Sequence, residues 1–337
     1  MEVDSNLPIL CVFGATGSIG RWILWYISKG SFNYRVRVFV RDVNNAKELL
    51  KQLGISIPIE YYHGDVTDNA AIRSSLAGVN FIITAIEVPK SQRGQKGLSR
   101  AINEFGVKNI ANAAREITTI KHLVLVSSIS VTRPGNWSSL KVNEFGDNAL
   151  IWKFRGENGV RRSGVPYTII RSGGINNLEA LPTNSEMFES VTKKKKDDNF
   201  LSLTISQGDQ VLGDIGGSDL ALLCLAALKF SEKSKSLTFE AISSKGDSWE
   251  MSEDMFTSLL PETQEIPDWE LDEDVENCRI CNSTLWLLNR KHHCRQCGRI
   301  VCGPCSDFEK PLPQYGIPIP VKICSNCDQL GKEEVDK

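Results

Sequence analysis

The stretch Ile9-Leu-Cys-Val-Phe13-Gly14-Ala-Thr-Gly17-Ser-Ile-Gly20 decides the fold of the first part of the chain. Its five leading apolar residues predict a buried strand, and residues 21–28 after the glycines predict a helix. Gly14 permits a tight turn, Gly17 lets the backbone approach a pyrophosphate, and Gly20 lets the helix pack closely. A strand, a glycine turn and a helix in this order predict a dinucleotide-binding unit. The alternative is a packing turn that no longer holds a ligand.

Strands and helices alternate beyond this point. Further strands are predicted at residues 36–40, 59–63, 80–85 and 122–126, with helical stretches between them, such as 103–116. This alternation predicts an α/β fold with a doubly wound parallel sheet, whose ligand lies along the carboxyl edge of the strands. Arg41 directly follows the second strand and precedes Asp42. An arginine there suits a 2′-phosphate and an acidic residue suits a free ribose hydroxyl, so NADP is favoured over NAD.

Eight cysteines within the last sixty residues form four Cys-x-x-Cys pairs: Cys278/Cys281, Cys294/Cys297, Cys302/Cys305 and Cys324/Cys327. A two-residue gap lets two thiolates bind one tetrahedral ion, so four pairs suffice for two closed, structural zinc sites. A disulfide cluster or free core cysteines are the alternative. The spacing alone does not say whether the pairs are used sequentially or alternately.

Composition limits the class of protein. The chain has 337 residues, is 41% hydrophobic and carries a formal net charge of -2, which is typical of a globular protein with two domains. The acidic start lacks a secretory pattern, and the apolar stretch 220–228 is too short to span a bilayer. We therefore expect a cytoplasmic protein. A slightly acidic chain without a basic stripe argues against nucleic-acid binding.

The first part of the chain resembles the atypical short-chain dehydrogenase/reductases, including the NmrA-like NADPH sensors. Beside the glycine turn, the resemblance depends on Val38-Phe-Val-Arg41, Gly64-Asp65-Val66, and Trp152-Lys153 followed by the segment 163–174, and covers about residues 8–245. It implies a Rossmann fold that binds NADP(H), with Ser127 near the nicotinamide and Lys153 on its ribose. The implied cofactor-binding residues are Gly14, Thr16, Gly17, Ser18, Ile19, Gly20, Arg41, Asp65 and Val66.

One departure from that family affects the predicted activity. Its reductases protonate a carbonyl with a tyrosine four residues before the lysine, and Ala149 occupies that position here. Ser127 and Lys153 remain as candidate catalytic residues, but the proton donor is missing. The sequence therefore leaves three functions open for this part: a redox sensor or adaptor, an NADP-dependent reductase or isomerase of unknown substrate, and a scaffold without a ligand.

The cysteine-rich end resembles FYVE fingers. The matching signatures are Trp269-x-x-Asp272, the block Arg290-Lys-His-His-Cys-Arg-Gln-Cys-Gly298, and Lys322-Ile-Cys324 where the family has Arg-Val-Cys. A RING-type finger is the rival two-zinc module, but it would need a histidine ligand and would not use the basic block. The resemblance implies cross-braced zinc, with Cys278, Cys281, Cys302 and Cys305 on one ion and Cys294, Cys297, Cys324 and Cys327 on the other.

The FYVE resemblance also implies a ligand, phosphatidylinositol 3-phosphate, and a peripheral location on early endosomal membranes. Its implied headgroup residues are Asp272, Arg290, Lys291, His292, His293, Arg295 and Lys322. The apolar run Leu285-Trp-Leu-Leu288 lies beside them and is expected to form an exposed tip, with Trp286, Leu287 and Leu288 entering the membrane. Fingers of this family often pair, so a homodimer is a further expectation.

The sequence predicts three segments. Residues 1–262 form the Rossmann domain, 263–268 an acidic linker and 269–331 the finger. A terminal helix of the first domain is expected near residues 249–260. The lysine run at 193–196 suits a solvated loop, with attraction to acidic lipid as the alternative.

Overall fold

The computed structural model describes residues 6–133, 147–176, 202–244 and 249–333. It divides the chain into two compact units, Met1–Leu259 and Leu260–Lys337. The lysine run at 193–196 lies outside the described residues.

A large sheet forms the centre of the first unit. Within the described residues it has eight strands in the order β3-β2-β1-β4-β5-β6-β10-β8, parallel except for the antiparallel pair of β10 and β8. The short strands β7 and β9 form a separate parallel pair. The strands are β1 Ile9–Phe13, β2 Arg35–Val40, β3 Ile59–His63, β4 Phe81–Thr84, β5 His122–Ser128, β6 Tyr167–Ser172, β7 Gly174–Asn176, β8 Ser202–Ser206, β9 Asp214–Gly216 and β10 Leu237–Ser244.

Helices cover both faces of this sheet. In chain order they are α1 Ser18–Ser28, α2 Val43–Gln52, α3 Asn69–Leu76, a π-helical segment Arg100–Gly106 that runs into α4 Val107–Arg115, α5 Ala149–Arg161, α6 Gly217–Lys229 and α7 Ser231–Ser234. Apolar residues of α1, α2 and α6 belong to one core cluster, and those of α3 and α4, together with Val160 of α5, belong to the other.

Alternation along β1 shows how the two cores form. Leu10 and Val12 lie in the first cluster, whereas Cys11 and Phe13 lie in the second, and all four side chains are fully buried. Successive residues of a strand face opposite sides, so a parallel sheet covered on both faces needs a continuous apolar strand. The predicted doubly wound α/β fold is confirmed.

The predicted helix at residues 249–260 is wrong. The structure has only a 3₁₀ turn, Glu253–Phe256, which follows the extended residue Ser252. Phe256 is 2% exposed and its ring lies 5.9 Å from that of Phe239, while Met251, Met255 and Leu259 pack against the same core. One turn is enough to bury these apolar side chains, so tertiary packing overrides the helical periodicity.

The second unit is built from short elements. Its strands are β11 His292–His293, β12 Ile300–Val301, β13 Phe308–Leu312 and β14 Ile317–Ile323, and its helix is α8 Ser325–Glu333. Two 3₁₀ turns, Asp272–Asp274 and Pro304–Ser306, complete it. The strands pair antiparallel as β11 with β12 and β13 with β14.

The segment 263–268, expected from the sequence to be a linker, packs within the second unit. The backbone N–H groups of Thr263 and Gln264 donate to the Gln314 carbonyl at 2.9 and 3.1 Å, and Ile266 is buried. Glu262 and Tyr315 form an antiparallel bridge just before it.

Across the part of the chain that the structure describes, none of the helices is both long enough and apolar enough to cross a bilayer.

Candidate functional site

A cavity of about 910 Å³ opens at the carboxyl edge of the sheet, in the first unit. Its wall is formed where β1, β2, β3, β4 and β5 end, as the topology of a doubly wound sheet requires. Nearly all the residues predicted to bind cofactor or to act in catalysis line it: Gly14, Thr16, Gly17, Ser18, Ile19, Arg41, Asp65, Val66, Ser127 and Lys153.

The glycine turn at the cavity wall requires glycine at its first and last positions. Gly14 has φ +84°, and a Cβ there would lie 2.4 Å from the Ala85 carbonyl oxygen. Gly20 does not line the cavity; a Cβ on it would lie 2.3 Å from the Gly14 oxygen, so it allows α1 to pack against the turn. The turn thus places the amino terminus of α1 towards the cavity, where its N–H groups suit a phosphate.

Arg41 and Asp42, at the end of β2, have different roles. Arg41 lines the cavity. The carboxylate of Asp42 caps α2 by accepting a hydrogen bond from Asn45 N at 2.9 Å. The end of β2 therefore presents a cation to the cavity, while the acidic side chain stabilises a helix.

The loop after β3 is fixed by its own side chains. Asp65 accepts hydrogen bonds from Thr67 N at 3.0 Å and Thr67 Oγ1 at 2.8 Å. The carbonyl of Val66 accepts from Asn109 Nδ2 at 3.0 Å. These contacts hold both of these predicted cofactor-binding residues at the cavity wall.

Lys153 is paired with an acidic residue that the sequence analysis missed. Its Nζ lies 2.8 Å from Oε2 of Glu87, which also lines the cavity. Burial alone would raise the pKa of Glu87, but the Lys153 ammonium holds that pKa below its usual value. Lys153 is thus held in the cavity by a carboxylate.

Ser127 is likewise held by a missed acidic residue. Its Oγ donates to Oε1 of the fully buried Glu157 at 2.6 Å. Arg171 donates to both carboxylate oxygens, at 3.1 and 2.8 Å, and Arg161 donates to Oε2 at 3.2 Å. Burial opposes ionisation, but these two arginines, Arg171 most strongly, lower the pKa of Glu157.

In the second unit, the eight thiols form two tetrads. Cys278, Cys281, Cys302 and Cys305 make one, and Cys294, Cys297, Cys324 and Cys327 make the other, with the sulfur atoms of each tetrad within 4.8 Å of one another. This is the alternate use of pairs that the resemblance implies. Backbone N–H groups support the sulfurs, as Cys302 N does for Cys278 at 3.3 Å and Cys324 N for Cys294 at 3.2 Å.

Cationic side chains gather around His292 beside the second tetrad. Burial first, and then the charges of Lys322, Arg295 and Arg290, lower the pKa of His292. The backbone N–H of Arg295 donates to the Lys322 carbonyl at 3.0 Å, which ties the two segments together. Residues far apart in sequence thus form one cationic surface.

The remaining predicted headgroup residues differ in where they lie. Lys291 donates to the backbone carbonyl of Asp272. His293 is buried, its ring stacks on Trp269 at 4.9 Å, and its Nε2 lies 2.9 Å from the Glu270 carbonyl oxygen. The Asp272 carboxylate is exposed and lies 3.5 Å from the same Nε2. His293 therefore packs inside the unit, whereas Asp272 remains at the surface.

The apolar loop after Cys281 is exposed at three positions. Trp286, Leu287 and Leu288 are 57%, 79% and 77% exposed. The expectation that Leu285 belongs to this tip is wrong, because Leu285 is 7% exposed and its N–H donates to the Glu276 carbonyl at 2.8 Å. This bond lies next to the Asn277–Thr284 bridge, which turns Leu285 inward.

Comparison with known proteins agrees with this geometry. The model of the NAD(P)H-binding family matches residues 14–209, more than half of the chain, and the model of the FYVE zinc finger matches residues 268–333. The chain belongs to the NAD(P)H-binding family. It also carries a FYVE zinc finger, and such a finger implies binding of phosphatidylinositol 3-phosphate and targeting to endosomes.

Curated relatives match over a short part of their length. The chain is 47% identical over 73 residues to vacuolar protein sorting-associated protein 27 of Eremothecium gossypii, covering 22% of this chain and 11% of that protein. It is 45% identical over 62 residues to human RUN and FYVE domain-containing protein 2, covering 18% and 10%. The chain thus spans about a tenth of the length of these relatives.

Solved structures share the fold of the NAD(P)H-binding unit. The oxidoreductase ylbE from Lactococcus lactis has a TM-score of 0.51 at 18% identity, covering 71% of this chain and 92% of its own. A short-chain dehydrogenase/reductase from Veillonella parvula in complex with NADP has a TM-score of 0.53 at 10% identity, covering 72% and 99%. At these identities the likeness establishes the fold alone.

The FYVE finger suits two zinc ions. Each tetrad offers four sulfur ligands and no open position, which is the donor set of a structural zinc site. Cys278, Cys281, Cys302 and Cys305 would hold one ion and the other four cysteines the second.

The cavity of the NAD(P)H-binding unit suits the cofactor that its family binds. The glycine turn leaves room for a pyrophosphate, and Arg41 supplies a cation. Ala149 lines the same cavity and offers no proton donor. The two missed carboxylates, Glu87 and Glu157, leave a weak trace in the sequence: Glu87 follows the apolar run of β4, and Glu157 lies four residues after Lys153, on the same helical face.

Proposed function

We propose that this chain binds phosphatidylinositol 3-phosphate on early endosomal membranes through its FYVE finger, and binds NADP(H) as a redox sensor or adaptor. The observation that carries the proposal is the cationic surface that Arg290, Arg295 and Lys322 form around His292, beside the exposed tip of Trp286, Leu287 and Leu288. At a membrane surface, charged lipid phosphates lie next to the apolar acyl layer. The cationic surface and the apolar tip can therefore contact these two layers together.

Headgroup capture is expected to depend on the arginines. A guanidinium can donate two parallel hydrogen bonds to phosphate oxygens, which a lysine cannot. Arg290 is exposed and lies close enough to His292 to lower its pKa, so it contributes charge to the surface. Lys322, within β14, supplies a point charge close to His292. Asp272, which is exposed, is left to accept from inositol hydroxyls.

Preference for NADP over NAD rests on the different roles of Arg41 and Asp42. A free ribose hydroxyl would call for an acidic side chain in the cavity, but the carboxylate of Asp42 caps α2. Arg41 lines the cavity instead and suits a 2′-phosphate.

The sensor function is favoured over catalysis by Ala149, which lines the cavity without a proton donor. A second candidate, a membrane-recruited NADP-dependent reductase or isomerase of unknown substrate, is favoured by Lys153, which lies inside the cavity. A general acid at the reacting atom contributes about 10² to 10⁴ in rate. The two candidates therefore differ in whether turnover accompanies cofactor binding.

Vesicle co-flotation of the full chain tests the membrane part. The chain should float with phosphatidylcholine vesicles that contain phosphatidylinositol 3-phosphate and stay unbound with plain ones. Arg290→Ala should weaken binding by about tenfold, the typical effect of a charge-assisted hydrogen bond. Arg299→Ala is the matched control, because Arg299 is exposed in the same unit and its replacement removes the same charge. Equal binding to both vesicle types would overturn the proposal.

A fluorescence titration with NADPH, followed by a turnover screen across carbonyl compounds, tests the other part. Binding without turnover supports the sensor, whereas turnover replaces it with the reductase. Failure of NADPH to bind would rule out both the sensor and the reductase.

A further inference from the structure

At the cavity wall, the single proton of the Ser127 hydroxyl is already engaged. Its Oγ lies 2.6 Å from Oε1 of Glu157. An ionised carboxylate accepts hydrogen bonds and donates none, so Ser127 must be the donor. A hydroxyl has one proton and two acceptor lone pairs. Ser127 lines the cavity, and it can therefore offer a ligand only its lone pairs.

Glu157 keeps its negative charge because two arginines surround it. Arg171 donates to both of its oxygens, and Arg161 donates to Oε2. The carboxylate is fully buried, and the two guanidinium groups lower its pKa in spite of that burial. The hydrogen bond from Ser127 thus has a fixed direction.

The cavity wall carries a second acceptor, the carboxylate of Glu87. The side chain of Glu87 is 41% exposed; its Oε1 accepts from Val88 N at 2.9 Å and its Oε2 from Lys153, which leaves a lone pair on Oε2. Ala149 contributes a methyl group. Lys153 lines the same cavity; it donates one of its three ammonium protons to Glu87 and keeps two. A carbonyl oxygen brought to Ser127 would face lone pairs, whereas an N–H or O–H group would find an acceptor.

We propose that Ser127 is a hydrogen-bond acceptor that selects a ligand group bearing N–H or O–H over a carbonyl-only group of the same size, with Glu157 as its positioning residue. The inference rests on the proposed cofactor site. Two sources supply such a donor: the carboxamide of the nicotinamide ring, or a second ligand bound beside it.

Two pairs of matched probes distinguish these sources, measured by calorimetry on the full chain. The first pair is NADP⁺ and its 3-acetylpyridine analogue, in which a methyl group replaces the amide NH₂. The second pair is benzamide and acetophenone, each added to the NADP⁺-bound protein. If the cofactor supplies the donor, NADP⁺ binds about tenfold tighter than its analogue; if a second ligand does, the dinucleotides bind equally and benzamide binds about tenfold tighter.

Variants test whether Ser127 and Glu157 produce the preference for the N–H-bearing probe. Ser127→Ala should abolish it, whereas Ser74→Ala, an exposed serine on α3, should leave it unchanged. Glu157→Gln should reduce or reverse it. Oε2 accepts from two arginines and Oε1 from one, so the glutamine places its NH₂ at the Oε1 position. There it donates to Ser127, whose proton becomes free for a carbonyl.

Three results would overturn the inference. The first is that the wild-type chain discriminates between the members of neither pair. The second is that the wild-type chain binds the carbonyl member of a pair more tightly. The third is that the preference survives in Ser127→Ala. The wild-type measurement needs no variant, so a variant that fails to fold leaves the test intact. If the wild-type chain binds neither dinucleotide, the proposed cofactor site fails, and this inference fails with it.

Discussion

At the scale of single residues, neighbours in sequence can have unrelated roles, and Arg41 and Asp42 illustrate this. Sequence reading alone treats both as candidates for the ribose of a dinucleotide. The structure separates them, because Asp42 caps α2 through Asn45 N while Arg41 lines the cavity. The choice between NADP and NAD therefore depends on a helix cap that sequence spacing does not show.

Replacement of Arg41 tests this assignment. Arg41→Ala should weaken NADPH binding by at least about tenfold and leave NADH binding nearly unchanged, because the lost charge-assisted contact is specific to the 2′-phosphate. Both dissociation constants are measured by fluorescence titration.

Asp42→Asn serves as the control, since asparagine caps a helix as well as aspartate does. It should leave both constants unchanged. A loss of NADH affinity in Asp42→Asn, with no effect of Arg41→Ala on NADPH, would assign the ribose contact to Asp42.

The residues that the sequence analysis missed share one property. Glu87 and Glu157 become significant only through partners brought to them by the fold: Lys153 for Glu87, and Ser127, thirty residues away, for Glu157. The glycine turn and the cysteine pairs, in contrast, carry their spacing within a few residues. Local patterns could therefore be predicted from the sequence, and long-range carboxylate pairs could not.

At the scale of helices and strands, too, local patterns could be predicted from the sequence and the effects of tertiary packing could not. The strands of the parallel sheet were predictable because burial on both faces leaves unbroken apolar runs, as in β1. The helix predicted over 103–116 begins inside the π-helical segment Arg100–Gly106, because residue periodicity hardly differs between the two helical forms over so few residues. The predicted helix near residue 256 was wrong because one turn already buries Phe256.

The loop 284–289 changes from core to surface within one residue. Leu285 is buried and Trp286 is exposed, and the loop is held by Trp286 N on the Asn289 carbonyl at 3.0 Å and by Asn289 Nδ2 on the Thr284 carbonyl at 2.8 Å. A braced loop with exposed leucines suits insertion into a lipid layer.

Truncation of that tip tests its role. Moving one leucine side chain into lipid is worth about 1.5 to 3 kcal/mol. The double variant Leu287→Ala, Leu288→Ala should therefore lose at least about tenfold in affinity for vesicles containing phosphatidylinositol 3-phosphate. Its affinity for soluble inositol 1,3-bisphosphate should not change. Vesicle affinity is measured by co-flotation and headgroup affinity by calorimetry.

Leu330→Ala provides the matched control, because Leu330 lies on α8 of the same unit and is 60% exposed. It should leave vesicle binding unchanged. A parallel loss of vesicle and soluble headgroup binding in the double variant would make the tip a structural part of the finger.

At the scale of the whole molecule, the two units are stabilised by different interactions. The first unit buries two large apolar clusters, one on each side of its sheet. The second unit has 78 residues and many short elements, and units of this size bury a smaller fraction of their surface, which leaves them only marginally stable by burial. Its two thiol tetrads bring eight ligands together, and structural zinc contributes on the order of 10 kcal/mol to folding.

Zinc removal should therefore separate vesicle binding from NADPH binding in the full chain. A strong zinc chelator is expected to release two equivalents of zinc and to abolish binding to vesicles with phosphatidylinositol 3-phosphate, while NADPH binding persists. A zinc-sensitive dye measures the release, co-flotation and fluorescence titration measure the two ligands, and hydrogen exchange locates the unfolding after residue 260. Added zinc should restore vesicle binding. Vesicle binding that outlasts the loss of both equivalents would show that the finger folds without metal, and loss of NADPH binding on chelation would show that the first unit depends on it.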